Sequence, residues 1–218
     1  MYALSNGISY LSIPIRNIHL KAKILAEMPE GMYPDIQSRA QYEVDGVITK
    51  ENRLPNIQDR KSMPYLEAIL KEVLRWAPAS PMGLFHCTTM DDEYRATASL
   101  RKPRSTPSNA SSTFNPDRFY HADVSAPTDV QRNPLELAFG FGRRICPGQH
   151  VAEATIFIQM ATFLAVLKIS KGVDSDGRII EPDVEFTTAI VSHVKPFAFH
   201  ITRRSGKAND LLRQDLER

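Results

Sequence analysis

The sequence has 218 residues, 42% of them hydrophobic and 24% charged, enough to bury a core of ordinary domain size. A formal net charge of +2 gives no electrostatic case for nucleic acid as a partner. Two cysteines exclude a disulfide framework and fit an intracellular, reducing setting.

Residues 1–32 carry scattered apolar side chains (Leu4, Ile8, Leu11, Ile13, Ile15), interrupted by Pro14 and diluted by Ser5, Asn6, Gly7, Ser9 and Ser12. They show no clear basic start, apolar core and cleavage site of a secretory signal, and are read as an atypical N-terminal extension. No run of eighteen apolar residues occurs outside a polar-interrupted stretch after Cys146, so no membrane anchor is expected.

From Tyr33 the pattern sharpens. Tyr33-Pro34-Asp35 reads as a helix start with Pro in the first turn, and Ile36, Ala40, Val44 and Val47 then fall on one face. Arg53-Leu-Pro is a loop. Ser62 is the expected N-cap of a second helix over 63–76, with Leu66, Ile69, Leu70, Val73 and Leu74 inward and Pro78 ending it. On that helix Glu72 and Arg75 stand three residues apart, share a face and can pair. Taken alone, such a pair is most often a solvated surface feature.

After Tyr94 the composition changes. Residues 95–113, RATASLRKPRSTPSNASST, hold four positive charges and no acid, and read as loop or disorder. Phe114-Asn-Pro-Asp-Arg118-Phe119 follows, then a polar loop from Asp123 to Pro134. Next comes Phe139-Gly-Phe-Gly-Arg-Arg-Ile-Cys-Pro-Gly148. Behind it a helix is expected from about Gln149 to Lys168. It is apolar nearly all round, broken only by Glu153, Thr155, Gln159 and Thr162, and is expected to be buried. Val184–Phe186 and Phe197–Ile201 are strand candidates, with Thr187 to Val191 at the tip of a hairpin between them. From Arg203 the chain reads as a charged tail.

The stretch 139–148 carries the chemistry. A sulfur at a helix start faces the positive end of the helix dipole and unpaired backbone N–H groups, a setting suited to an anionic ligand. Gly140 and Gly142 allow a tight turn and close approach of a flat partner, Phe139 can cover the sulfur, and Arg144 can pair with a carboxylate. The bland alternative is a small, inert core cysteine.

The order Phe-x-x-Gly-x-Arg-x-Cys-x-Gly, filled by Phe139, Gly142, Arg144, Cys146 and Gly148, resembles the haem-binding signature of the cytochrome P-450 family. The text RLPNIQDRKSMPYLEAILKEVLRWAPASPMGLFHCTTMDDEY is similar to filamentous-fungal members. The resemblance implies a mainly α fold with a small β portion, the C-terminal portion of the cytochrome P-450 fold. It implies thiolate-ligated haem (iron protoporphyrin) with Cys146 as axial ligand of the iron, and Arg144 on a haem propionate. His86 corresponds to a further propionate contact. Glu72, Arg75 and Arg118 correspond to a buried structural triad beneath the proximal haem face. Ala79 to Phe85 and the 187–191 tip correspond to substrate-lining segments. Phe85 stands where relatives usually have proline, and Cys87 where many have arginine.

The resemblance further implies an oxidoreductase that inserts one oxygen atom from dioxygen into a small organic substrate, with electrons from an NADPH-dependent reductase. Fungal relatives are usually anchored in the endoplasmic-reticulum membrane. Residues 33–218 are then the C-terminal, proximal part of one such domain, interrupted by 95–113, where relatives have two strands and a short helix. A wrong splice junction or shifted frame would leave that signature. The family's small-Gly-x-acid-Thr motif, which belongs to a long helix across the distal haem face, does not occur in residues 1–32. The alternative to a working monooxygenase is therefore a truncated, non-catalytic remnant that binds haem weakly or not at all.

Overall fold

The computed structural model describes residues 33–81, 83, 113–120, 133–187, 191–204 and 206–216. His86 and Cys87 lie outside the described residues, as do the extension 1–32, nearly all of 95–113, and most of the loop from Asp123.

Helix α1 spans Pro34–Glu51, with Pro at its start, Asp35 in its first turn and Lys50 in its last. This arrangement suits the helix dipole. It ends where Asn52 turns left-handed (φ 49°) and its N–H reaches the Ile48 carbonyl. Ala40, Val44, Val47 and Ile48 are buried, and so are Gln37 and Gln41. A 3-10 helix, Ile57–Ser62, follows, opened by a capping box between Asn56 and Asp59.

Helix α2 spans Pro64–Trp76. The expected Ser62 cap is not used. Ser62 closes the preceding 3-10 helix, and Met63 occupies the cap position without a side-chain bond. The unpaired N–H groups are instead taken by Glu43 of α1, whose carboxylate accepts from Tyr65 N (2.9 and 3.0 Å) and Leu66 N (3.1 Å). Burial pushes the Glu43 carboxyl above its ordinary pKa, against the pull of those two N–H groups and Arg39.

Two short helices come next, α3 (Asp117–Tyr120) and α4 (Leu135–Ala138). After the cysteine turn, α5 spans Gln149–Val166. It stops earlier than the expected Lys168, because Leu167 turns extended (φ −123°, ψ 151°) and opens strand β1, Leu167–Lys171. Its burial is also uneven. Phe157, Met160, Ala161, Leu164, Ala165 and Val166 are buried, whereas Val151 is 71% exposed.

Strand β2, Phe199–Arg203, pairs antiparallel with β1, with Ile169 opposite Ile201 and Lys171 opposite Phe199. The expected hairpin between Val184–Phe186 and Phe197–Ile201 therefore does not form in that register. Phe186 instead makes an isolated bridge to Val194, and Lys195 N–H donates to the Glu185 carbonyl at 2.7 Å. Gly172 is required where the sheet's two chains separate, since a Cβ there would lie 2.8 Å from the Ala198 Cβ.

The charged tail is a helix, α6, Gly206–Leu216, and its Leu211 and Leu212 are buried in the common core. Arg204 fastens the approach to it. Its guanidinium pairs with Asp45 of α1 at 3.0 and 2.7 Å and donates to the Leu164 carbonyl at 2.7 Å near the end of α5. No helix among the described residues is long and apolar enough to cross a membrane.

Candidate functional site

Glu72 lies on the inward face of α2 and is wholly buried. An isolated carboxylate there would be costly, so its partners decide the energetics. Arg75 makes a two-point contact with it, Nε to Oε2 at 2.6 Å and Nη2 to Oε1 at 2.8 Å. Arg118 of α3 brings Nε to 3.5 Å from Oε1, and the Asn115 N–H donates to the same oxygen at 2.7 Å. Both arginines also reach the Thr113 carbonyl, at 3.3 and 3.4 Å. The three residues singled out in the sequence are thus brought together, joined by two backbone groups that no side-chain pattern signals.

Residue 118 is held from outside as well. Its neighbour Asp117 receives Arg39 Nη1 at 3.0 and 3.2 Å, and the Arg39 guanidinium lies 3.9 Å above the centre of the Tyr65 ring. This clamp ties α3 to α1 and α2.

The cysteine turn begins at α4. Phe139 is half-buried and its ring packs against the core, while its carbonyl accepts from the Cys146 N–H at 2.8 Å. Gly140 (φ 80°) and Gly142 (φ 59°) adopt left-handed backbone that favours glycine. Gly142–Arg144 forms a 3-10 turn, and Arg144 is exposed. Cys146 is exposed too. A Cβ added at Gly148 would make an ordinary contact with the sulfur, 3.8 Å from Sγ. Near Cys146 in the sequence, Phe141, Ile145 and Val151 are 67%, 47% and 71% exposed.

This donor set fits haem. It offers one accessible soft sulfur among the described residues, exposed apolar side chains nearby in the sequence, and an exposed arginine suited to a carboxylate. Among the described residues no group of three or more His, Cys, Asp or Glu is placed to hold a metal ion.

Two other expected segments meet. The Ser192 N–H donates to the Ala79 carbonyl at 2.9 Å, joining the end of the 187–191 tip to the strip that follows α2. Trp76 and Phe186 add an edge-to-face contact at 5.4 Å. Residues 84–86 and 188–190 lie outside the described residues.

The family model for cytochrome P450 matches residues 24–100 and 109–199. The chain is 44% identical over 190 residues to cytochrome P450 monooxygenase claR of Ampulloclitocybe clavipes, covering 84% of this chain and 35% of that protein. It is 39% identical over 194 residues to cytochrome P450 monooxygenase 208 of Postia placenta, covering 83% and 36%. A solved zebra fish cytochrome P450, with abiraterone, superposes with a TM-score of 0.66 at 22% identity, covering 86% of this chain and 44% of that one. The chain belongs to the cytochrome P450 family, is similar to fungal monooxygenases, and carries part of the cytochrome P450 fold. It spans little more than a third of the length of the curated relatives it matches.

Proposed function

We propose that Cys146 is the axial thiolate ligand of a haem, within a monooxygenase that inserts one oxygen atom into a small organic substrate. The carrying observation is the exposed Cys146 sulfur, on a turn opened by the left-handed Gly140 and Gly142, in a chain of this family. Thiolate-ligated haem supplies dioxygen activation, because electron density from the sulfur favours O–O cleavage. The chain's own residues bind and orient. Arg144 and His86 hold propionates, Gly142 and Gly148 let a flat group approach, and Phe139 supports the turn from the core side. The Glu72–Arg75–Arg118 triad holds the scaffold behind it. Electrons come from an NADPH-dependent reductase, and the role belongs to fungal secondary metabolism, a reading in keeping with relatives that are fungal monooxygenases.

Cys146→Ala should abolish the red-shifted Soret band of the reduced carbon monoxide complex after haem reconstitution, and Cys87→Ala should keep it. A Cys146→Ala protein that retains the band rejects the assignment.

The exposure of Cys146, Phe141 and Val151 favours a second reading of these 218 residues on their own, namely weak haem binding without turnover. Haem on such a surface leaves apolar area in water, forfeiting about 25 cal/mol per Å². Turnover also needs a substrate held in an enclosed pocket. Reductase-dependent product formation by the reconstituted chain would decide for the first reading.

A further inference from the structure

The fully buried side chains of α5 all lie in its far half. None of residues 149–156 is fully buried, and the first buried one is Phe157. Something else must fix the end of the helix that carries the cysteine turn. Arg60, from the 3-10 helix, grips Glu67 of α2 with Nε to Oε2 at 2.7 Å and Nη2 to Oε1 at 2.9 Å. The same Nη2 lies 3.7 Å from Oε2 of Glu153 in the second turn of α5. Its guanidinium also sits 5.4 Å from the centre of the Phe157 ring, one turn further along. Glu153, whose side chain is 12% exposed, accepts from Gln149 Nε2 at 2.8 Å. That nitrogen is 3.4 Å from the Leu135 carbonyl in α4. The Gln149 N–H donates to the Cys146 carbonyl at 3.2 Å. A polar path therefore runs from α2 through Arg60 and Glu153 to Gln149, which touches the chain on both sides of the cysteine turn.

We propose that Arg60, Glu153 and Gln149 are positioning residues for Cys146, fixing where its turn stands relative to α2. The role rests on the haem-thiolate reading above. Arg60 suits it because a planar fork can hold one carboxylate at two points and still face a second, which an ammonium does poorly.

The test uses the 218-residue chain. Amide hydrogen exchange is followed in the haem-free protein for the parent, Glu153→Gln and Arg60→Met. Exchange at Cys146, Gln149 and Ala152 should accelerate about three- to ten-fold in either variant, while in Glu153→Gln the amides of α2 keep their rates. At these amides the double variant should go no further than Arg60→Met alone, since that change already removes the contact with Glu153. Arg60→Lys should restore little of the protection. After reconstitution, the share of bound haem giving the red-shifted carbon monoxide band should fall while haem per chain holds. Unchanged exchange at the three amides overturns the proposal. So does equal acceleration across α2 and α5, which would mean a general loss of stability. Should Arg60→Met not fold, the near-isosteric Glu153→Gln carries the comparison. A parent that never gives the band sinks the haem reading alone, and the exchange result still judges the anchor.

Discussion

The side-chain amide of Gln37 bonds both backbone groups of Ile169, accepting from its N–H and donating to its C=O, each at 2.9 Å. A helix side chain thereby acts as a third strand on the free edge of β1. Gln41 adds a bond to the Leu167 carbonyl at 3.2 Å. Gln37 is 2% exposed, so water cannot replace it.

Gln37→Leu should strand two buried backbone groups, at a cost of about 2–6 kcal/mol, since each unsatisfied group costs roughly 1–3. The urea midpoint should fall accordingly. A midpoint equal to the parent's would mean that the edge finds other partners.

Glu72→Ala should leave Arg75 and Arg118 facing each other without their carboxylate. Breaking a buried charge network costs about 3–5 kcal/mol, a large part of a domain's usual 5–15. Insoluble or haem-free protein is the expected yield. By contrast, Arg39→Ala removes a half-exposed pair with Asp117 and should cost no more than about 1 kcal/mol. Equal losses from the two variants would contradict the difference in burial.

Hydrogen bonding from Arg53 holds the Asp59 carboxyl below its ordinary pKa, opposed by burial and assisted by the Asn56 N–H. A depressed carboxyl stabilises the fold above its unfolded value, about 3.9, and loses that contribution as pH falls through the folded value. Asp59→Asn should therefore melt below the parent at neutral pH, and the gap should close in acid. A gap constant from neutral pH to below about 4 would show that the charge is not responsible.

Gly172→Ala should be destabilising by about 1–3 kcal/mol, because the new methyl meets Ala198 Cβ at 2.8 Å and its backbone C and O at 3.0 Å. Pairing it with Ala198→Gly should restore only part of the loss, as the backbone contacts stay. Full recovery in thermal melts would mean that the strand simply moves aside.

Local patterns were legible in the sequence and distant pairings were not. Ala40, Val44 and Val47 recur at helical spacing, and the cysteine turn is a contiguous ten-residue string, so both can be read without a partner. Glu72 and Arg75 share a helix face, whereas Arg118 was reached only through family resemblance. β1 escaped because Leu167 and Ile169 suit the end of an apolar helix equally well, and their partners at 199–203 are far along the chain. Leu211 and Leu212 sit side by side in a charged setting with no period to betray them. Arg60 and Glu153 meet only because the 3-10 helix and α5 pack together. His86 and the segment 95–113 fall outside the described residues.

The bond between Asp45 and Arg204 spans 159 residues of chain. A ribosome adding about 5–20 residues per second needs roughly 8–32 s to travel that far. Throughout that interval the apolar face of α1, with Val44 and Val47, has been synthesised while the C-terminal leucines that help enclose the core have not. The nascent chain thus carries an unfinished hydrophobic surface for much longer than a helix takes to form. Closure of this core waits for Leu211 and Leu212 to leave the ribosome.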